Sequence, residues 1–418
     1  MNVPAHFTEE EPQLSPTKTV ITLAFASLSV PAWSQDAADP GKAMVEGTCN
    51  SCHPLSARVG TGYTPEGWKT VMQMMKNHGA QIPADKEPAM MSYLVKTYPV
   101  KGRPDAVVVQ GPVKVSMQAW QVGQPASRPH DPLAAKDGSY WYTGQMTNVL
   151  GRIDPKTGKV KEYPLKTPHS GPHGLVEDRS GNIWYTGNAG STVGKVNPKT
   201  GEVTEYKMPD AQAKDPHTPI FDKKGVFWFS VQGGNKIGRL DPKEGKVKLI
   251  DMPTPKSRPY GMAVDSKNNV WSVLFGVNKV AVIDQKTLKV KEYDLPNKDS
   301  RPRRIAITPD DMVWYTDYSR GYLGRLNPKT GEVKEWQSPS GAKSAPYGIS
   351  NIKGVLWYSE SEASPNTIVR FDPKTEKFQS WTIPGGGNIV RNTDVTKDGN
   401  FLLANSLTNE VTVVRIGK

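Results

Sequence analysis

Residues 174–206, GLVEDRSGNIWYTGNAGSTVGKVNPKTGEVTEY, decide the fold because they contain four predicted short strands separated by turns. Apolar and polar residues alternate in these strands, at 174–176, 183–186, 193–196 and 203–206, as expected where the two faces pack differently. The pattern returns with a tryptophan every 43 or 44 residues, and Leu402 takes the same place in a seventh copy. The tryptophans are Trp141, Trp184, Trp228, Trp271, Trp314 and Trp357. A repeat of this length built from short strands predicts a seven-bladed β-propeller.

The ring is expected to close through the segment that precedes the first repeat. The seventh copy ends after its third strand at 411–416, so it lacks an outer strand. Residues 113–122, with VSMQAW at 115–120, resemble the outer strands that end in Tyr206 and Trp336. We therefore expect the propeller to span residues 113–418, with 113–122 completing its last blade. Such closure removes exposed sheet edges, which otherwise invite aggregation.

The chain has only two cysteines, and both lie in the motif Cys49-Asn50-Ser51-Cys52-His53. This spacing allows two thiols to bind the vinyl groups of one haem and places an imidazole under the iron. A redox C-x-x-C pair would require a βαβ context, and a zinc site would require a second ligand pair; the sequence shows neither. We predict one covalent haem c attached through Cys49 and Cys52, with His53 as an iron ligand.

The residues that follow this motif resemble small monohaem cytochromes. Two helices are predicted, at 68–77 and 88–98, and the stretch from Trp68 to Ala80 follows the pattern W-x6-M-x3-G-A. In that family the methionine of the pattern is an axial ligand, which implies Met75 here; Met74 and His78 are the alternatives. The resemblance implies a small all-α cytochrome c domain at 35–102, followed by a linker at 103–112. A His/Met pair would raise the haem potential relative to a bis-His pair.

The N-terminal residues predict export. An apolar run at 20–30 precedes Ala32-Trp33-Ser34, which is typical of a signal peptide cleaved before Gln35. Acidic residues at 9–11 are unusual in this position, so a downstream start or an uncleaved anchor stays open. We expect a signal peptide at 1–34 and a bacterial, periplasmic mature protein. The run is too short to span a bilayer, so no integral membrane segment is expected after cleavage.

The basic composition does not predict nucleic-acid binding. The formal net charge is +12, but many lysines recur in equivalent Asx-Pro-Lys turns and not in one basic stripe. A nucleic-acid interface would require clustered basic residues. Docking to an acidic periplasmic redox partner remains compatible with the charge.

Equivalent positions of a propeller form a ring around its central channel. One such position lies eleven residues before each repeat tryptophan or Leu402, or ten in the sixth copy, at the entrance to the innermost strand. Its residues are His130, His173, His217, Tyr260, Arg303, Tyr347 and Arg391. Three residues after the tryptophan, the fifth and sixth blades carry Asp317 and Glu360. These groups predict a polar mouth that binds a small molecule or a divalent metal, although such residues also fill solvated channels.

The repeat contains the motifs P-x-G, G-x-W-[YF]-[TS] and I-G-R-[IL]-[DN]-P-x-T-G-x-V-x-E-[YW]. Through these motifs it resembles streptogramin B (virginiamycin B) lyases over residues 113–418. Those enzymes open a lactone by elimination with magnesium, using histidines on adjacent blades, a tyrosine and a glutamate. The resemblance implies catalytic roles for His173, His217 and Tyr260, with His217 as the base. Val231 occupies the position of the family glutamate, which argues against lyase activity.

The sequence therefore predicts a periplasmic haem c protein that transfers electrons, coupled to substrate or metal binding at the propeller mouth. Two alternatives stay open. One is magnesium-dependent elimination on a cyclic lactone, and the other is a docking module without catalysis.

Overall fold

The computed structural model describes residues 39–51, 54–57 and 59–417, and the chain from residue 40 onward forms one compact unit. Its described strands form seven four-stranded antiparallel sheets, which confirms the seven-bladed propeller. The predicted signal peptide at 1–34, Cys52 and His53 lie outside the described residues.

In blades 1 to 6 the four strands run in chain order from the channel outward, whereas in blade 7 three late strands are followed by an early outer strand. Blades 1 to 3 contain β2 (Pro129–Ala134), β3 (Tyr140–Gly144), β4 (Val149–Ile153), β5 (Val160–Pro164), β6 (Pro172–Glu177), β7 (Ile183–Gly187), β8 (Thr192–Val196), β9 (Val203–Lys207), β10 (Pro216–Phe221), β11 (Phe227–Val231), β12 (Lys236–Asp241) and β13 (Lys246–Asp251). Blades 4 to 6 contain β14 (Pro259–Val264), β15 (Val270–Leu274), β16 (Lys279–Ile283), β17 (Val290–Asp294), β18 (Pro302–Ile307), β19 (Val313–Asp317), β20 (Tyr322–Leu326), β21 (Val333–Gln337), β22 (Pro346–Ile352), β23 (Val355–Glu360), β24 (Thr367–Asp372) and β25 (Lys377–Thr382). Blade 7 contains β26 (Val390–Val395), β27 (Phe401–Asn405), β28 (Glu410–Ile416) and the early strand β1 (Val115–Gln121).

The pairing of β1 with β28 confirms the predicted closure. The two strands are antiparallel over their whole length, from Val115 opposite Ile416 to Gln121 opposite Glu410. The outer edge of blade 7 is thus supplied by residues that precede blade 1, which holds the two ends of the repeat array together.

The repeat tryptophans belong to the core between blades, as their conserved spacing within the chain suggests. Trp184 and Trp228 are fully buried, and their indole N–H groups donate to Asp178 and Asp222 in the preceding turns, at 2.9 and 3.0 Å. Each side chain therefore fixes a turn while it fills the apolar contact with the next blade.

Four blades place a glycine of the third strand opposite an aromatic ring of the second. The pairs are Tyr142 with Gly151, Tyr185 with Gly194, Phe229 with Gly238 and Tyr315 with Gly324. A Cβ at Gly324 would lie 2.1 Å from Cζ of Tyr315, so the ring occupies the space of the missing side chain. Blade 4 changes both members of the pair, because Ser272 lies opposite Ala281.

The segment before the propeller is helical, with α1 (Pro40–Cys49), a 3-10 turn (Leu55–Ala57), α2 (Pro65–Asn77) and α3 (Glu87–Thr97). The side chain of Thr64 accepts a hydrogen bond from the amide of Gly67 at 3.1 Å and caps α2. The buried side chains between the helices are Val45, Trp68, Met72, Met90, Tyr93 and Leu94. No helix in the described part of the chain is both long and apolar enough to cross a membrane.

Residues 103–112, predicted as a linker, lie against the propeller. The hydroxyl of Ser380 donates to the carbonyl of Val107 at 2.6 Å and accepts from the amide of Val109 at 2.8 Å. Asp105 also forms a parallel bridge with Ser364. The helices are therefore connected to the propeller by a segment that bonds along blade 6.

Candidate site at the propeller mouth

The seven predicted ring positions lie at the start of the innermost strands. The ladder between first and second strands is irregular just after the entering proline, for example between Pro129 and Pro132 and between Pro172 and Leu175. Such irregularities redirect side chains out of the regular pleat. The repeated proline and the bulge after it thus turn the ring residues toward the channel.

Three imidazoles and a phenol form a continuous stack in this ring. The ring centroids of His130 and His173 are 3.7 Å apart, those of His173 and His217 are 3.6 Å apart, and those of His217 and Tyr260 are 3.9 Å apart. All four side chains are buried. Three consecutive blades thereby place imidazoles in van der Waals contact, as the matched spacing in the sequence predicts.

Burial and nearby positive charge keep these imidazoles neutral. Burial, followed by the charges of Arg391 and Arg128, lowers the pKa of His130 well below its usual value. Burial also lowers the pKa of His173 and of His217 in the same way. A neutral imidazole has one nitrogen that can accept a proton, and Nδ1 of buried His173 has no hydrogen-bond partner among the described residues.

Arg303 occupies an aromatic enclosure beside the stack. Its guanidinium carbon is 4.0 Å from the ring centre of Tyr347, 4.1 Å from that of Tyr318 and 5.2 Å from that of Tyr260. The hydroxyls of Tyr260 and Tyr347 share a hydrogen bond. The cation is therefore stabilised by aromatic faces.

The sequence analysis missed a second polar layer, one residue further along the innermost strands. Arg304 of blade 5 donates to Asp131 of blade 1 at 3.2 Å, to Thr218 of blade 3 at 2.9 Å and to the carbonyl of Arg391 in blade 7 at 3.1 Å. Asp131 also accepts from Asn392 at 2.6 Å. These polar side chains connect four blades across the channel.

The repeat contained a signal for this layer. In blades 2, 4 and 6 the residue directly after the ring position is the glycine of the pattern P-x-G. In blades 1, 3, 5 and 7 this residue is polar. Gly174 shows why the small residue is needed, since its Cβ would lie 2.1 Å from Cδ of Pro219. Departures from the glycine therefore mark the blades whose side chains fill the channel.

Asp131 determines the tautomer of the first imidazole. Its Oδ1 is 2.7 Å from Nδ1 of His130 and also accepts from Arg304. An ionised carboxylate only accepts, so Nδ1 of His130 carries the proton and Nε2 is the acceptor. Thr218 occupies a similar place beside His217, with 3.0 Å between its hydroxyl and Nδ1.

The predicted acidic residues do not face the mouth, which corrects the expectation for Asp317 and Glu360. Both are fully buried within their blades. Asp317 accepts from the amide of Arg301 at 3.0 Å and from the guanidinium of Arg320 at 3.1 Å. Glu360 accepts from the hydroxyl of Ser338 at 2.5 Å. Their carboxylates bind neighbouring loops because the second strand ends next to those loops, away from the channel axis.

A cavity of about 550 Å³ joins the helices to the propeller mouth. The propeller wall includes His130, His173, Tyr260, Arg303, Tyr347 and Arg391. The helical wall includes Cys49, Trp68, Met72, Met74, Met75 and His78. The two groups of residues that the sequence analysis singled out separately thus line one continuous space.

The helical wall is mainly apolar around Cys49. Around Cys49 the cavity is lined by apolar side chains, namely Leu55, Val59, Trp68, Val71, Ile82 and Leu94. Cys49 is a free, half-buried thiol whose pKa is raised by burial. These residues fit an apolar macrocycle attached at Cys49.

The structure distinguishes the environments of the three candidate axial ligands. Met74 is buried and packs against Ala126 and Met146 of the propeller, whereas Met75 is only partly buried. The ring of His78 contacts that of His169 edge to face, with 5.5 Å between centroids. Met75 packs against the same cluster of Met74, Ala126 and Met146, and His78 contacts His169, so all three candidates have packing partners at the helix–propeller contact.

Among the described residues, His130, Asp131 and His173 could each offer one ligand atom to a metal, with these atoms within 4.8 Å of one another. Asp131, however, already accepts from Arg304, His130 and Asn392. A bound cation would lie beside the guanidinium of Arg304, so metal binding would require Arg304 to move away.

Comparisons with known proteins identify the propeller. A profile described as the Virginiamycin B lyase family matches residues 112–283 and 266–417. A structure described as streptogramin B lyase is 24% identical, with a TM-score of 0.66, and covers 72% of this chain and 98% of its own. Virginiamycin B lyase from Staphylococcus aureus is 23% identical, with a TM-score of 0.66 and coverage of 72% and 99%. Its catalytically inactive histidine-to-alanine variant with quinupristin is 22% identical, again with a TM-score of 0.66 and coverage of 72% and 99%. The comparison with curated proteins gave no match.

Proposed function

Since this chain belongs to the virginiamycin B lyase family, whose profile covers most of it, we propose that it is a redox member of that family. In this proposal the protein is periplasmic, carries one haem c and transfers electrons between a small molecule at the propeller mouth and an acidic periplasmic redox partner. The observation that supports it is the cavity lined by Cys49, Met75 and six of the seven ring residues, all but His217.

Four residues would hold the haem. Cys49 and Cys52 would form the thioether bonds, and His53 and Met75 would be the axial ligands. A haem c, when bound, supplies one-electron oxidation and reduction. The helical wall of the cavity around Cys49 is apolar.

The propeller residues would bind and orient the small molecule. Neutral His173 lines the cavity, and its one unprotonated ring nitrogen would accept a proton. Tyr260 and Tyr347 supply phenol groups, and Arg304 holds the layer beneath the stack through Asp131 and Thr218. Loss of an electron leaves a positive charge on the oxidised molecule. Transfer of a proton from that molecule to an imidazole would remove this charge.

The test is a reduced-minus-oxidised spectrum and an intact mass of mature protein made in a host with cytochrome assembly. We expect a c-type spectrum, a mass increase of one haem and a lower midpoint potential in Met75→Ala, because loss of a thioether ligand lowers the potential. Met74→Ala should keep the potential and lose stability, since Met74 packs against the propeller. A colourless protein without the mass increase would refute the proposal.

Elimination on a cyclic lactone is the second candidate, because family membership favours it. His217 would be the base and Tyr260 would orient the substrate. Val231, fully buried at the position of the family glutamate, provides no carboxylate. Incubation with a streptogramin B lactone and magnesium tests this candidate, and an unopened ring would eliminate it.

A further inference from the structure

The cavity between the helices and the propeller is lined by an excess of positive charge. Arg128, Arg258, Arg303 and Arg391 contribute to its wall, and Asp215 is the acidic residue among the described lining residues. Arg304 does not add to this excess, because Asp131 neutralises it below the ring. The space that would receive a small molecule therefore carries a net positive potential.

Neutral groups, not carboxylates, bind three of these arginines. Arg391 donates to the hydroxyl of Ser406 at 2.5 Å, and Arg258 donates to the side-chain carbonyl of Gln232 at 2.5 Å. Arg303 has aromatic neighbours, and its Nε is buried without a hydrogen-bond partner in the described part of the chain. A buried donor or charge that lacks a partner is unfavourable, and a bound anion would relieve that cost.

The cavity also offers an apolar surface next to these charges. Phe275 and Tyr260 line it, and the guanidinium carbon of Arg303 lies 4.7 Å from the ring centre of Phe275. A flat organic group could pack on this surface while its anionic end meets the arginines.

We propose that the mouth binds a small organic anion, with a carboxylate or similar oxyanion paired to Arg303 and Arg391 and an apolar body against Tyr260 and Phe275. The inference rests on the proposed function only in taking this cavity as the substrate site. It disfavours a divalent cation as the primary occupant, because a cation would face four arginines and a carboxylate already bonded to Arg304.

The carboxylate that pairs with these arginines could also come from the haem, since a haem carries two carboxylates of its own. If the arginines serve those groups, a free anion should not bind while the haem is present. A calorimetric comparison of haem-loaded and haem-free protein distinguishes the two sources.

The experiment measures binding of benzoate and of its neutral analogue benzamide to the mature haem-loaded protein. We expect benzoate to bind at least about tenfold more tightly than benzamide, because charge-assisted hydrogen bonds contribute that much, and to weaken with added salt. Arg391→Gln should weaken benzoate about fivefold or more, because it removes a paired donor. Arg258→Gln removes one positive charge from the wall and should also weaken benzoate, by less. Both should leave benzamide unchanged. Arg258 is exposed, so its replacement keeps the test valid if Arg391→Gln misfolds.

Arg415→Gln is the matched control, because Arg415 is exposed on β28 and bonds to Gln118 outside the cavity. It should leave both affinities unchanged. Equal affinity for benzoate and benzamide, or no binding of either, would overturn the proposal. So would benzoate binding seen only in a haem-free Cys49→Ala, Cys52→Ala protein, which would assign the arginines to the haem carboxylates. The haem spectrum is a separate measurement, so failure of either proposal can be recognised.

Discussion

Arg304 contacts more blades than its neighbours in the channel, and each contact is to a buried group. Its guanidinium joins Asp131, Thr218 and the carbonyl of Arg391, and both Arg304 and Asp131 are almost fully buried. Because a buried carboxylate without its cation is much less stable than the pair, the two residues are energetically coupled. The orientation of His130 in the ring of channel residues depends on this pair, because Asp131 bonds to Nδ1 of His130.

We predict that Arg304→Gln lowers the free energy of unfolding by about 3 kcal/mol, because it leaves Asp131 buried without a cation. Urea unfolding followed by tryptophan fluorescence measures the change. Adding Asp131→Asn to the same chain should recover part of the loss, whereas two independent effects would simply add. An additive double variant would show that the pair is not coupled.

The lowered pKa values of the three imidazoles predict how stability depends on pH. The unfolded histidines bind protons near pH 6.5, while burial keeps His130, His173 and His217 neutral in the folded state. The unfolded state then holds more protons, so stability present above pH 6.5 is lost as the pH falls toward the folded pKa values. His173→Gln should reduce this loss by about 1 kcal/mol, one histidine's share, between pH 6.5 and 5.5 in urea titrations. Parallel curves for the variant and the native chain would contradict the assignment.

At the scale of the strand pair, the blades depend on glycines that leave room for rings. Gly324 lies opposite Tyr315, whose hydroxyl donates to Glu335 of the next strand at 2.9 Å. The ring thus crosses over the glycine to reach its acceptor. In blade 4, where Ser272 replaces the ring, Ala281 replaces the glycine. In blade 6, Tyr358 lies opposite Val369, and its hydroxyl bonds to Ser338 instead of a residue of the outer strand. The glycine therefore accompanies the rings that cross the third strand.

We predict that Gly324→Ala lowers the free energy of unfolding by about 1–3 kcal/mol, because a Cβ at 2.1 Å from Tyr315 forces the ring or the strand to move. Gly47→Ala is the matched control, since Gly47 lies within α1 and its Cβ would meet nothing within 4 Å. That substitution should leave stability unchanged or raise it, because alanine favours helix. Equal losses in both variants would argue against the steric explanation.

At the scale of the whole molecule, the segment 103–112 connects the helices with blade 6. Ser380 bonds to both Val107 and Val109, and the side chain of Arg103 is 7% exposed and donates to Thr61 at 2.9 Å. A segment held in this way is a poor protease substrate, because cleavage requires the backbone to leave its bonded position.

Limited elastase digestion, which cuts after small aliphatic residues, should therefore leave the bonds after Val107 and Val108 uncut under native conditions. Ser380→Ala removes both bonds of its hydroxyl and should increase the rate of cleavage at these sites several-fold. Ser180→Ala, in an exposed turn of blade 2, serves as the control and should not change the rate. Mass spectrometry of the fragments identifies the sites, and rapid cleavage of the native chain after Val107 or Val108 would contradict the docking.

Local and repeating features could be predicted from the sequence alone. The period of the tryptophans predicts the blades, and the missing outer strand predicts closure by residues 113–122. Both follow from alternation and spacing, which are local properties of the chain. The ring positions were predicted for the same reason, because one offset from the tryptophan applies to every blade. The haem motif is also local, and its occupancy remains a prediction.

Only the tertiary structure decided where side chains meet across the ring. Arg304 and Asp131 are 173 residues apart in sequence, so no local pattern pairs them. Asp317 and Glu360 share a position with potential channel residues, yet nearby donors bind them inside the blades. The cavity common to Cys49 and the histidine stack likewise depends on helix–propeller packing. Periodicity determines which strand a residue belongs to, whereas the closing of the ring brings residues from distant blades into contact.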